Sequence, residues 1–196
     1  MLSLGHPLRG TTLVELMVGL AIVALLFALG APSFSNWIQN TQIRTSAETI
    51  QNGLQLARAE AVRRNAPVRF QMVSDVTAAC AASTTGGSWV VSQDDPAGAC
   101  ASAASDTVAP RIIQVRSSAE GSTNAVVAAT QSVVVFNGLG RVTPVPAGNI
   151  DIDISNPSGG ACAAAGPMRC LRIRVSTGGQ IRMCDPILAS TDPQGC

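Results

Sequence analysis

The chain of 196 residues has no tyrosine, only four phenylalanines and two tryptophans, so its core must be built mostly from Val, Ile, Leu and Ala. It has no lysine. All 13 basic residues are arginine, a bias that genomic base composition explains and from which no function follows. The single histidine, His6, lies near the start of the chain. If residues 1–10 are removed, no histidine remains, which excludes Ser-His-Asp and Cys-His catalysis and any histidine-containing metal site. No phosphate-binding glycine loop, paired-carboxylate arrangement or metal-ligand cluster stands out, so neither a cofactor nor enzyme activity is expected. Asp151 and Asp153 alternate on one strand face, a pattern far commoner for exposed acids than for calcium, and no metal is assigned to them. No cysteine pair has C-x-x-C spacing, which argues against a zinc ribbon or a thioredoxin-like motif. Charge is sparse and balanced. Without Arg9, the remaining basic residues of the 13 match the 12 acids, which argues against strong non-specific attraction to nucleic acid.

What the chain does have is one long apolar run, Gly10 to Pro32. Leu16 to Ala31 is uncharged, and Glu15 is the only ionisable group in the run. At ~1.5 Å per residue, the roughly 19 residues from Leu13 to Ala31 make a helix about 28 Å long, close to the ~30 Å of a bilayer core. The segment before it, MLSLGHPLRG, is too short for a secretory signal. Such a signal is cut after its apolar run, whereas here the candidate cut precedes it, so the span should be retained. Arg9 on one side, and no further basic residue until Arg44, favours the leader in the cytoplasm and the rest outside. A carboxylate at the edge of hydrocarbon is costly unless paired, which makes Glu15 a functional candidate. The competing reading is that it snorkels to the headgroups. Pro32 lacks an N–H and is expected to kink the helix.

Beyond Pro32 the helical pattern continues to Asn65. Ile43, Ala47, Ile50, Leu54, Ala57 and Ala61 recur at spacings of four and three, one apolar stripe for a small domain to pack on. Ala66-Pro67 ends it. From Val68 onward short β-type runs alternate with turns: Val68–Val73, Trp89–Ser92, Arg111–Arg116, Ala125–Ala128, Val133–Phe136, Ile150–Ile154, Cys170–Val175 and Gln180–Cys184. Thr177-Gly178-Gly179 predicts a hairpin between the last two. Residues 78–104 and 158–167 read as loops. The expectation is an α+β protein: one long N-terminal helix, membrane half plus amphipathic half, laid against a small antiparallel sheet. Six cysteines, Cys80, Cys100, Cys162, Cys170, Cys184 and Cys196, all follow the apolar run, as disulfides in an oxidising compartment would. Nearest-neighbour pairing (Cys80 with Cys100, Cys162 with Cys170, Cys184 with Cys196) is preferred because each bond would brace a loop poor in apolar residues. Cys170 with Cys184, on neighbouring strands, remains a competitor.

The leader ending in Gly10, followed by T-T-L-V-E-L-M-V-G-L, resembles the class III signal of type IV pilins and type II secretion pseudopilins. The helix end L-Q-L-A-R-A-E-A-V-R-R-N-A-P-V, matched at Ala57, Arg58, Glu60, Ala61, Arg63, Arg64, Asn65, Pro67 and Val68, resembles the GspH/FimT branch of minor pilins and pseudopilins. So does Phe136-Asn137-Gly138-Leu139-Gly140-Arg141. The resemblance implies a type IV pilin-like fold and cleavage after Gly10 by a prepilin peptidase. It also implies methylation of Thr11, where the family usually has Phe, and single-pass anchoring in the inner membrane with a periplasmic domain. Other pilins would then be partners in a pilus or pseudopilus, through the N-terminal helix. Glu15 and Pro32 fall where the family has its assembly residues, and Glu15 would pair with the amine of Thr11 on a neighbouring subunit. The implied segments are a leader at 1–10, a transmembrane and assembly helix at 11–32, its amphipathic continuation at 33–66 and a β-rich domain at 67–196. Some members of the family bind DNA through a carboxy-terminal G-R-x-R motif. Here Gly179-Gln180-Ile181-Arg182 lacks the first arginine. The DNA alternative therefore rests on Arg169, Arg172, Arg174 and Arg182, against the plainer reading of a solvated strand face balanced by its acids.

Overall fold

The computed structural model describes residues 12–120 and 122–196, except for the side chains of residues 29–32. The expected processing site at Gly10 and Thr11, and the side chain of Pro32, therefore lie outside the described residues. One helix, α1, runs over Leu13–Arg64, 52 residues. The chain divides into two compact units, one up to Ser35 and one from Asn36 to Cys196. In the first, α1 opens on a capped turn: the Thr12 hydroxyl accepts the N–H of Glu15 at 3.2 Å. Large apolar side chains from Leu13 to Phe27 are exposed, and the helix is long and apolar enough, by length and composition, to cross a membrane.

In the second unit α1 buries the stripe that its spacing announces. Ile43, Ala47, Ile50, Leu54, Ala57 and Ala61 are all fully buried. One further residue shapes this contact. A Cβ on Gly53 would stand 2.8 Å from the Phe70 ring and 2.9 Å from the Trp89 ring, so the helix approaches this ring pair only because position 53 has no side chain. The helix then stops on a Schellman motif. Asn65 takes a left-handed φ of 47°, its N–H reaches the Val62 carbonyl, and the Ala66 N–H reaches the Ala61 carbonyl at 3.2 Å. Pro67 follows, where it cannot extend the helix.

Eight strands follow: β1 (Val68–Val73), β2 (Ser88–Ser92), β3 (Ile112–Arg116), β4 (Val126–Ala129), β5 (Val133–Phe136), β6 (Ile150–Ser155), β7 (Leu171–Val175) and β8 (Ile181–Cys184). Each falls within one residue of its expected bounds. They form two antiparallel four-stranded sheets, ordered β3-β2-β1-β5 and β4-β6-β7-β8, rather than one small sheet. The division has a visible cause. The β1–β2 connection takes the edge of β4, with Ala129 N–H on the Thr84 carbonyl at 2.8 Å and Gly86 N–H on the Val127 carbonyl at 3.2 Å. The two sheets meet through that segment and share one core. Phe70, Met72, Trp89, Val91, Val134 and Phe136 come from the first sheet; Val127, Ile150, Ile152, Ile154, Ile173 and Val175 come from the second. A smaller cluster covers the far face of the first sheet: Val73, Val90 and Ile112 around the buried Cys80 and Cys100.

The disulfides are Cys80–Cys100, Cys162–Cys170 and Cys184–Cys196, the nearest-neighbour pattern. The loop holding Cys162 is also clasped by α1. The buried Asn156 amide donates to Gln39 Oε1 at 2.6 Å, and Asn40 Oδ1 accepts the Arg169 N–H at 2.7 Å.

Gly53→Ala tests the helix contact. Alanine gains about 1 kcal/mol of helix propensity, but overpacking a buried ring pair costs about 1–3 kcal/mol. The urea midpoint of residues 36–196 is therefore expected to fall. A rise by the full propensity gain would show that the rings yield freely.

Candidate functional site

The second sheet turns a charged face outward, and its register decides what those charges do. Asp153 stands opposite Arg172, Asp151 opposite Arg174, and Arg174 opposite Arg182. Neighbouring antiparallel strands bring facing side chains within about 4.5–5.5 Å at Cβ. Arg172 Nε donates to Asp153 at 2.6 Å and its Nη2 to the other oxygen at 3.0 Å; Arg174 binds Asp151 in the same two-pronged way at 2.8 and 2.9 Å. Arg174 also donates to the Cys196 carbonyl at 2.6 Å, and Arg182 reaches that carbonyl at 3.4 Å. Arg169 lies 3.5 Å from the buried Asp185 carboxylate.

The four arginines singled out by the sequence thus do not form one open cationic patch. Arg172 and Arg174 are held by Asp153 and Asp151, and Arg182 alone of the four has no Asp or Glu partner among the described residues. The same pairing engages Asp151 and Asp153, and no cluster of three metal-ligating side chains is present among the described residues. Arg174, by direct hydrogen bonding, holds the Asp151 carboxyl below the usual carboxylate range against the opposing effect of burial. Arg111 does this for Asp94, and Arg63 with Arg64 for Glu60.

A groove of about 440 Å³ adjoins this face, walled by Trp37, Arg44, Arg169, Met183, Asp185 and Gln194. Arg44 is paired with Glu48 at 2.9 Å, and the cysteine of the wall, Cys184, is locked in its disulfide.

Three segments meet at the other end of the domain. The Asn137–Arg141 loop lies against the end of α1: Arg58 Nε donates to the Gly140 carbonyl at 3.1 Å, and a Cβ on Gly138 would stand 2.5 Å from Asn65 Oδ1. Gly140 has a φ of 71°. The β7–β8 turn closes on the same loop; a Cβ on Gly179, itself at φ 84°, would stand 2.1 Å from the Gly140 carbonyl oxygen. The two internal stretches that carry the family resemblance, one around Arg58–Asn65 and one around Phe136–Arg141, are therefore the two halves of one contact.

The profile described as Type II transport protein GspH matches residues 46–179, more than half of the chain and both halves of that contact. The chain belongs to the GspH family. Among solved structures it is similar to the type IV minor pilin FimU of Pseudomonas aeruginosa strain PAO1, at 16% identity over 82% of this chain and 98% of that one, with a TM-score of 0.50. A second crystal form of FimU aligns at 15% identity over 78% and 98%, with a TM-score of 0.47. No curated protein matches the sequence. The fold here is that of a type IV pilin, one long N-terminal helix packed on antiparallel sheets.

Sequence reading placed the end of the helix at Asn65 but missed the Thr12 cap, the close approach at Gly53 and the left-handed turn that Asn65 takes there. The first has a recognisable signal, Thr-x-x-Glu ahead of an apolar run. A glycine inside a helical pattern, and an asparagine just before Ala-Pro, point to the other two.

Each depressed carboxylate makes the folded state bind fewer protons than the unfolded one, whose carboxyls titrate near ~4. Stability should therefore be full above about pH 5 and fall as the pH drops through the folded values. With no histidine in residues 36–196, it should be flat from there to about pH 8. Thermal midpoints of that fragment across pH 2–8 check this, and Asp151→Asn should shrink the acid-side loss.

Proposed function

We propose that this GspH-family chain is a non-enzymatic minor pilin or pseudopilin, a subunit of a type IV pilus or a type II secretion pseudopilus. The observation that carries the reading is one helix with two different surfaces. Its first half exposes apolar side chains over a length that suits a bilayer, and its second half buries a stripe in the folded domain. On this reading residues 1–10 are removed by a prepilin peptidase after Gly10, and Thr11 becomes the methylated terminus. Residues 11–32 anchor the chain in the inner membrane and later pack against other pilins, 33–66 continue the helix, and 67–196 form the periplasmic β-rich part. Glu15 pairs with the terminal amine of Thr11 on a neighbouring subunit, and Pro32 bends the helix. The intramembrane position of Glu15 supports its role, because an unpaired acid there is costly.

Glu15→Ala is expected to leave the protein processed and membrane-inserted but absent from purified filaments. Normal incorporation would remove the pairing role of Glu15.

The DNA-receptor alternative has less behind it, because Arg172 and Arg174 are engaged by Asp153 and Asp151. Arg172→Gln in residues 36–196 is expected to lower stability by about 1 kcal/mol, the lost charged hydrogen bonds being discounted for partial exposure, and to leave duplex-DNA binding unchanged. The order of the two readings reverses if the fragment binds DNA with a log–log salt slope of ~0.9 per phosphate and loses that binding on Arg172→Gln.

A further inference from the structure

We propose that the corner formed by the end of α1 and the Asn137–Arg141 loop is a docking surface for an acidic face of a different pilin-type subunit. Leu139 is its apolar centre, and Arg58 and Arg141 are its flanking cations. The inference rests on the assembly reading above and adds to it a surface, its chemistry and the kind of partner.

Leu139 is 78% exposed, yet it sits on a turn that has little freedom to move. The Asn137 N–H donates to the Arg141 carbonyl at 2.9 Å, and the Gly140 N–H to the Asn137 carbonyl at 2.8 Å. The Asn137 Oδ1 accepts the N–H groups of Leu139 at 3.0 Å and Arg141 at 3.1 Å. Arg58 ties the turn to α1 through the Gly140 carbonyl. An apolar side chain held out on a rigid turn loses little entropy when it is covered, the condition under which an exposed leucine contributes to binding. Val62, 52% exposed, borders the same turn, its Cγ2 3.2 Å from the position of a Cβ on Gly140.

Charge sets the kind of partner. Among the described residues every arginine except Arg58, Arg141 and Arg182 reaches an Asp or Glu side chain. Two of these exceptions stand at this corner, with the exposed leucine next to Arg141. Uncompensated cations beside an apolar anchor call for carboxylates beside an apolar pocket, since complementary charge fixes register and rejects wrong partners. Nucleic acid fits less well, because its protein surfaces are strongly positive and polar, without an apolar knob at the centre. A second copy of this chain fits less well too. Its carboxylates are engaged by its own arginines except for Glu15, Asp75 and Asp192, which are far apart in sequence, and Asp75 already accepts from Thr77. The partner is therefore a different chain.

The test uses the full-length protein in cells that assemble filaments, with a photo-cross-linking residue at position 139 and, as control, at the exposed loop residue Ala147. The expected result is a cross-link from 139 alone to another pilin-type subunit, mapped by mass spectrometry to a segment bearing Asp or Glu. Arg58→Glu with Arg141→Glu should lower its yield at least about tenfold. Changing the mapped carboxylate to Arg should restore it. Arg141→Glu alone, at an exposed residue without a carboxylate partner, gives the same reading if the double variant is poorly folded by circular dichroism. The inference is overturned by no cross-link at 139, by a yield that the charge reversals leave unchanged, or by cross-linking to nucleic acid or to a second copy. Western analysis of the sheared filaments separates the two levels. A chain present in filaments without the cross-link sinks the docking surface alone, and a chain that never enters them sinks the assembly reading and the surface with it.

Discussion

A single helix carries two different surfaces, and the folded domain is arranged around the second. From Leu13 to Phe27 α1 exposes large apolar side chains; from Ile43 to Ala61 it buries one apolar stripe in the domain. The stripe is built from small residues as much as large ones: Ala47, Ala57 and Ala61 share it with Ile43, Ile50 and Leu54, and Gly53 lies beside them. Small residues bring the helix axis close to the sheets, so the aromatic pair Phe70 and Trp89 meets helix backbone rather than a side chain. In a chain with few aromatics, these two buried rings, their centroids 5.5 Å apart, both belong to the core that the sheets share. A residue with a side chain at position 53 would move this pair, and both ring-bearing strands are central in the first sheet.

Away from the helix the apolar supply runs short, and the disulfides stand where it does. Cys80 and Cys100 are buried with Val73, Val90 and Ile112 in the small cluster behind the first sheet, and their disulfide ties together the irregular segments on either side of β2. Cys162–Cys170 closes a short loop that leads into β7, and Cys184–Cys196 ties the end of β8 to Cys196. A native disulfide of this kind stabilises on the order of 2–4 kcal/mol by restricting the unfolded chain. That is comparable to what a buried leucine contributes. The cross-links thus take over in the loops the role that the stripe has on α1.

The parts of this architecture that were legible beforehand are those that depend on near neighbours in sequence. Spacings of four and three gave the stripe at Ile43 to Ala61, alternation gave β7, and Thr177-Gly178-Gly179 gave its hairpin. Contacts between distant segments were not legible. Nothing local to Asp151 or Arg174 says that they face each other, because register is set by how β6 and β7 align over their whole buried face. The split into two sheets was hidden for the same reason: it depends on Thr84–Gly86 reaching an edge more than forty residues away. At the site, sequence placed Arg172 and Arg174 on one face correctly but could not show that aspartates already hold them. It singled out both stretches around Arg58–Asn65 and Phe136–Arg141 without showing that they touch.

Arginine consequently has two different uses in this domain, and the difference is geometric. On β7 the strand pairing holds each guanidinium in line with a carboxylate on β6, so the fork geometry of arginine is fully used within the fold. At the end of α1 the same side chain finds only a backbone carbonyl, and at Arg141 it finds no carboxylate. A chain with balanced charge can leave cations unanswered in one place only if acids are unanswered elsewhere, and here those acids are Glu15, Asp75 and Asp192, none of which is a sequence neighbour of Arg58 or Arg141. Because no histidine follows His6, this arrangement stays the same across neutral pH. The electrostatic surface that a partner meets is therefore fixed by the fold.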